Sequence, residues 1–273
     1  MMKTASLPMY DLPEVRDATD AWWSGVAKHM QLAGITEAPL QLQHDVPVKS
    51  LWQDKNLLLS QCCGFDVVHG LKDCLDVLMI TGWAAEGCYD GHYSSWVVVH
   101  EDSPYQHISE LYDSVAVING VESHSGMNAL LSLVHTYSKD GYFFQRIDQS
   151  GTHVDSLVAL QQKVADVAAI DCVTYALLKE YRPSVISGVR IIGQTAAAPA
   201  HPYVTRASTS SDTQYRIQQA LDNAFNDRSL DSARATILLK EGIFGRSNDY
   251  RKIAENFQYD ARLLDVIQNS PFF

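Results

Sequence analysis

The chain has 273 residues, 46% of them hydrophobic and 19% charged, and a formal net charge of -11. That composition supports a sizeable core and about two domains or lobes, which excludes a disordered chain. The acidic balance, with no basic block anywhere, argues against a nucleic-acid binder.

The first predicted strand spans Ala5–Met9, stopped by Pro8 and Pro13, with Tyr10 at its end. A helix follows from about Asp17 to Ala33, its apolar residues Ala18, Ala21, Trp22, Val26 and Met30 at helical spacing and Gly34 just beyond. Leu40–His44 reads as a short second strand and Leu57–Leu59 as a buried one. The buried run leads into Ser60-Gln61-Cys62-Cys63-Gly64-Phe65, with a helix from Val67. Gln61 and Phe65 are candidates to stand beside a ligand. Leu75–Thr81 and Ser95–His100 are further strands, joined by a loop rich in glycine that carries Tyr93 and Ser94.

Val115–Leu133 is the stretch around which the rest is arranged. Its apolar run breaks at Asn119-Gly120. A helical pattern then begins after Ser123, His124, Ser125 and Gly126, with Met127, Leu130, Leu131 and Val134 at helical spacing. A helix beginning there turns unpaired N–H groups and the positive end of its dipole toward the space above the strand, the chemistry of an anion site. The pattern recurs downstream: a strand over Phe143–Ile147, polar Ser150-Gly151-Thr152-His153, and a helix over Val154–Val164. Val167–Ile170 is a strand without a polar residue until Asp171, and a helix runs from there to Tyr181 before Val189–Ile192. Thr195–Pro202 reads as a return crossing. Thr213–Phe225, Ser229–Leu239 and Asp249–Gln268 are predicted helical.

This alternation predicts an α/β protein whose sheets are mostly parallel and flanked by helices, with C-terminal helices. Hinge crossings near 101–104 and 195–202 divide it into lobe 1 (1–100 plus 203–273) and lobe 2 (101–202). Tyr10, Gln61, Ser94, Ser125, His153 and Asp171 all fall at strand ends, where open α/β sheets gather ligands.

Five cysteines, Cys62, Cys63, Cys74, Cys88 and Cys172, form no CxxC metal pattern and no disulfide framework. No HxH or HxxxH pair supports a metal, and no cofactor is expected. Residues 1–9 show no signal-peptide pattern, so the location is either cytoplasmic or that of a chain given without its leader. No run approaches the ~20 apolar residues of a membrane span.

The segments LLLSQCCG (57–64), GCYDGHYSS (87–95), SHSGMNAL (123–130), SGTHVDSL (150–157), ADVAAIDCVTYALL (165–178) and PAHPYVT (199–205) resemble the phosphate, phosphite and phosphonate substrate-binding proteins of ABC transporters. The resemblance runs from Ala5 to about Thr205. It implies a type II periplasmic-binding-protein fold, a Venus flytrap whose lobes close on an oxyanion, a periplasmic location and an ABC-type permease as partner. It further implies that the anion is met by backbone N–H groups of Ser125, Gly126 and Met127 and by the hydroxyls of Ser123 and Ser125. Asn128, Thr152 and His153 complete that side; Ser94 or Ser95 come from the other lobe, and Tyr10 and Tyr93 wall the cleft. Where relatives of this kind hold an aminoalkyl phosphonate with acidic side chains, the corresponding positions here are Val173 and His201, leaving Asp171 as the nearby acid.

Three functions compete: a non-catalytic binding protein for a small oxyanion, an enzyme on the same fold, and a ligand-sensing module. The enzyme reading takes Ser125, His153 and Asp171 as a hydrolase triad, or follows the pyrimidine-precursor synthases that share this fold type. The serine lacks the GxSxG elbow, and serines at helix starts cap more often than they attack, so the binding protein leads and no catalytic residue is assigned.

Overall fold

A computed structural model describes residues 3–71, 73–256 and 263. In chain order the strands are β1 (Thr4–Ser6), β2 (Leu57–Gln61), β3 (Leu75–Trp83), β4 (His92–Tyr93), β5 (Ser95–His100), β6 (Val115–Ile118), β7 (Arg146–Gln149), β8 (Val167–Asp171), β9 (Val189–Gln194), β10 (Ala198–Pro199), β11 (Pro202–Arg206) and β12 (Leu239–Phe244). The helices are α1 (Arg16–Leu32), α2 (Val48–Gln53), α3 (Gly64–Val68), α4 (Ala129–Val134), α5 (His153–Gln161), α6 (Cys172–Tyr181), α7 (Pro183–Ile186), α8 (Ser211–Asn226), α9 (Asp231–Thr236) and α10 (Arg251–Glu255). The chain divides into two compact units, 1–92 with 199–251 and 93–198 with 252–273.

The first unit holds a five-stranded sheet in the order β1-β2-β11-β3-β12. β1 and β2 are parallel, while β11 lies antiparallel between β2 and β3, and β12 antiparallel on the far side of β3. Three strands therefore run one way and two the other. α1 buries Thr19, Trp22, Trp23, Val26, Ala27 and Met30, the i, i+3, i+4, i+7 stripe that places one helix face in a core. Gly34, at φ 84°, takes the left-handed turn that ends it. Trp22 pays for none of its burial with a lost hydrogen bond: Nε1 donates to the Tyr203 hydroxyl at 2.8 Å, and its ring packs 4.8 Å from that of Phe225 on α8.

The second unit repeats the plan in the order β7-β6-β8-β5-β9. β6, β7 and β8 are mutually parallel; β5 alone runs against them, and β9, antiparallel to β5, runs with them. Every residue of β8 is buried, as its apolar run requires of a central strand. In both units the parallel strands end on the side where the polar loops begin.

Several expectations need correction. Ser95–His100, expected in lobe 1, pairs with β8 and β9 inside the second sheet, so the chain passes between units at residues 92–93 rather than at 101–104. Leu40–His44 is not a strand: Gln43 alone is tied to β1, its N–H at the Ala5 carbonyl and its carbonyl at the Ser6 hydroxyl, and His44 turns away to Asp11 and Asp20. Phe143 and Phe144 are core rings packed edge to face 4.9 Å apart, and the strand starts only at Arg146. β10 lies inside the crossing read over Thr195–Pro202, and β11 and β12, neither of them expected, begin at the last residues of that crossing and of the helix read over Ser229–Leu239. Pro202 heads β11, a place where a strand tolerates its missing donor, and β12 is a half-exposed edge strand whose Lys240-Glu241-Gly242 breaks the apolar alternation. The helix predicted over Asp249–Gln268 is described only to Glu255; from 257 it lies outside the described residues, except for helical Leu263. No helix among the described residues is long and apolar enough to cross a membrane.

Candidate functional site

In the second unit, β6 ends at Ile118 and the chain passes through Asn119 into a π-helical turn, His124–Asn128, that continues into α4. Ser123 caps the turn in extended conformation, its Oγ accepting from the Gly126 N–H at 3.1 Å. Ser125 Oγ stands 3.4 Å from Ser123 Oγ and within hydrogen-bond distance, 3.0 Å, of His153 Nε2. His153 is the first residue of α5, so this one bond ties two helix starts together. Gly126 is needed for the approach: a Cβ there would overlap Asn119 Oδ1 and stand 3.2 Å from His153 Cε1.

Burial holds His153 down to about 4, against an opposing pull from the Ala169 carbonyl, and its Nδ1 makes no hydrogen bond. The imidazole is therefore neutral at ordinary pH. Burial likewise lowers His124 to about 4. Asn128, wholly buried, donates from Nδ2 to the Ile253 carbonyl at 3.1 Å and lies 3.1 Å from His124 Nδ1, so its side chain braces the turn. Met127 is equally buried, which leaves its backbone as the part that faces the helix start.

The remaining expected residues divide by unit. Thr152 caps α5, accepting from Asp155 N–H at 3.0 Å and donating to Asp155 Oδ2 at 2.7 Å. Asp171 ends β8 and caps α6, Oδ1 accepting from the Val173 and Thr174 N–H groups at 2.8 and 2.9 Å. Ser94 Oγ accepts from Gln194 Nε2 at 2.6 Å, and Ser95 N–H donates to Thr195 Oγ1 at 2.9 Å. Both serines thus belong to the same unit as Ser125, not to the other lobe as expected. Tyr93 is buried, its ring 6.1 Å from that of His124.

Tyr10 and Gln61 lie in the first unit. Tyr10 has its hydroxyl 2.9 Å from His201 Nδ1 and its ring edge to face with Trp83 at 4.5 Å. The His201 carbonyl accepts from Thr81 Oγ1 at 2.6 Å, which holds that loop to β3. Gln61 is buried at the end of β2, with its carbonyl receiving Trp52 Nε1 at 3.0 Å. Asn119, His124 and Trp83 were not among the expected site residues. Asn119 had a signal, an amide directly after an apolar strand, but Trp83 had none short of the strand's true length.

Taken together, Ser123, Ser125, Gly126 and His153 form a cradle of hydroxyls and helix-start N–H groups at the ends of parallel strands. None of the residues in it is a lysine or arginine. Among the described residues no group of three or more His, Cys, Asp or Glu is placed to hold a metal ion.

Residues 74–238 match the family model described as ABC transporter, phosphonate, periplasmic substrate-binding protein. The chain belongs to this family. Comparison with curated protein sequences finds no match. Among solved structures, PhnD1 from Prochlorococcus marinus in complex with methylphosphonate superposes with a TM-score of 0.73 at 14% identity, covering 97% of this chain and 98% of that one. A binding protein component of an ABC phosphonate transporter from Pseudomonas aeruginosa gives 0.72 at 12%, over 99% and 89%. XAC2383 from Xanthomonas citri, bound to chloride ion, gives 0.71 at 14%, over 98% and 99%. At such identities these neighbours establish the type II periplasmic-binding-protein fold and no ligand.

Proposed function

We propose that this chain is a non-catalytic binding protein for a small oxyanion of the phosphonate type, serving an ABC-type transporter, and that the cradle of the second unit is where the anion head sits. The observation that carries this reading is the 3.0 Å contact between Ser125 Oγ and His153 Nε2. It brings the start of α5 against the start of the π-helical turn, so the N–H groups and dipoles of both converge on one space. The family match supports the ligand class and the transport role.

A desolvated anion gains most from directed donors. Each hydrogen bond to a charged acceptor is worth about 1.5 to 3 kcal/mol, and the helix starts cost no reorganisation to provide them. The 3.0 Å contact holds the Ser125 hydroxyl against a neutral ring, at the point where the two helix starts meet. The neutral imidazole therefore acts as an orienting group for a hydroxyl donor.

The hydrolase alternative needs an acid on the far nitrogen of the histidine, and His153 Nδ1 makes no such bond, while Asp171 Oδ1 accepts from two N–H groups of α6. The test is calorimetry with methylphosphonate, phosphite, phosphate and sulfate, alongside a search for phosphate release. Saturable binding without turnover is expected. Turnover lost in Ser125→Ala would move the protein to the enzyme class.

A further inference from the structure

Asn119 follows the last residue of β6, and its Oδ1 is buried without a hydrogen-bond partner. A buried carbonyl left unpaired is destabilising, so its retention calls for a donor that arrives with something else. The oxygen lies against Gly126, where a Cβ would overlap it, and His153 Cε1 flanks the same point at 3.2 Å. It is therefore inside the cradle, between the strand end and the two helix starts. Gln149, the register partner of Ile118, has a second buried oxygen without a partner at the same end of the sheet.

Every other group assigned to the anion there is a donor or a hydroxyl able to donate. A fully ionised oxyanion offers acceptors alone, and an oxygen of such an ion facing Asn119 Oδ1 would be repelled. A singly protonated oxyacid brings one hydroxyl that satisfies it. We propose that Asn119 reads the protonation state of the ligand: its Oδ1 accepts from the acid hydroxyl of a hydrogen phosphonate and so selects it over a sulfonate of the same shape, which has no proton to give. This rests on the anion-site reading above.

The test is calorimetric titration of the full chain with methylphosphonate and with methanesulfonate across pH, for the parent and for Asn119→Ala. His153 on α5, His124 on the π-helical turn and Asp171 at the end of β8 titrate or carry charge nearby, but they act on both probes alike, so the ratio of the two affinities isolates the ligand's proton. For the parent, methylphosphonate affinity should fall about tenfold per pH unit above its second ionisation while methanesulfonate affinity stays level. Methanesulfonate should bind at least about tenfold more weakly at the acid end, and Asn119→Ala should bring the two within about threefold. The parent's pH profile decides the matter even if the variant does not fold. A methylphosphonate profile as level as that of methanesulfonate, or an Asn119→Ala variant that weakens both probes equally, overturns the role of Asn119 and leaves the anion site standing. A parent that binds neither probe at any pH overturns the anion site itself, and Asn119 with it.

Discussion

Ser125 Oγ and His153 Nε2 stand 3.0 Å apart although 28 residues separate them, and the bond joins the first turns of two helices that follow two different parallel strands. Removing the hydroxyl removes both the orienting bond and one donor to the anion. Ser125→Ala should weaken methylphosphonate binding by roughly 10 to 100-fold, since one hydrogen bond to a charged group is worth about 1.5 to 3 kcal/mol. Isothermal calorimetry checks it; an unchanged affinity would remove Ser125 from the site.

Gly126→Ala places a methyl where Asn119 Oδ1 already is. Overpacking of that kind costs about 1 to 3 kcal/mol, so the variant should melt several degrees lower and lose most anion binding. Differential scanning fluorimetry with and without methylphosphonate reads both effects.

His124 and His153 are both held near 4 by burial, against an ordinary value of 6.5. The folded chain therefore refuses protons that the unfolded chain accepts between pH 6.5 and 4, and stability falls as pH falls through that window. The slope is at most about 1.4 kcal/mol per pH unit for each group, and above the window these two histidines add none. Urea denaturation at about pH 7.5 and about pH 5 should show the loss, with a shallower slope in His153→Gln.

Tyr10→Phe keeps the ring against Trp83 but leaves His201 Nδ1 without the Tyr10 hydroxyl, a buried pair at 2.9 Å. A stability loss of about 1 kcal/mol is expected from chemical denaturation. A loss of several kcal/mol would mean that the hydroxyl organises far more of the first unit than its own bond.

Because the cradle's donors are helix starts and hydroxyls, salt has little to screen. Affinity for methylphosphonate should change less than about threefold between low and physiological ionic strength. A collapse of binding with added salt would point to a lysine or arginine outside the residues assigned here.

Local sequence determined a good part of this protein. Continuous apolar runs marked β2, β5, β6 and β8, because a strand covered on both faces presents no side to water. The Ser123 and Thr152 caps announced two helix starts, since a free hydroxyl before an apolar stripe is the cheapest partner for orphaned N–H groups. What it left undecided are the features that depend on contacts distant along the chain. β12 takes the far side of β3 at the end of the first sheet, and β11 lies between β2 and β3 because residues 202–206 return from the second unit. The assignment of Ser94 and Ser95 to the unit of Ser125 came from the pairing of β5 with β8, not from any property of those serines. Asp171 illustrates the same limit: its type and position allowed a catalytic acid, and the tertiary structure directs its Oδ1 to the first turn of α6, where two N–H groups would otherwise go unmet.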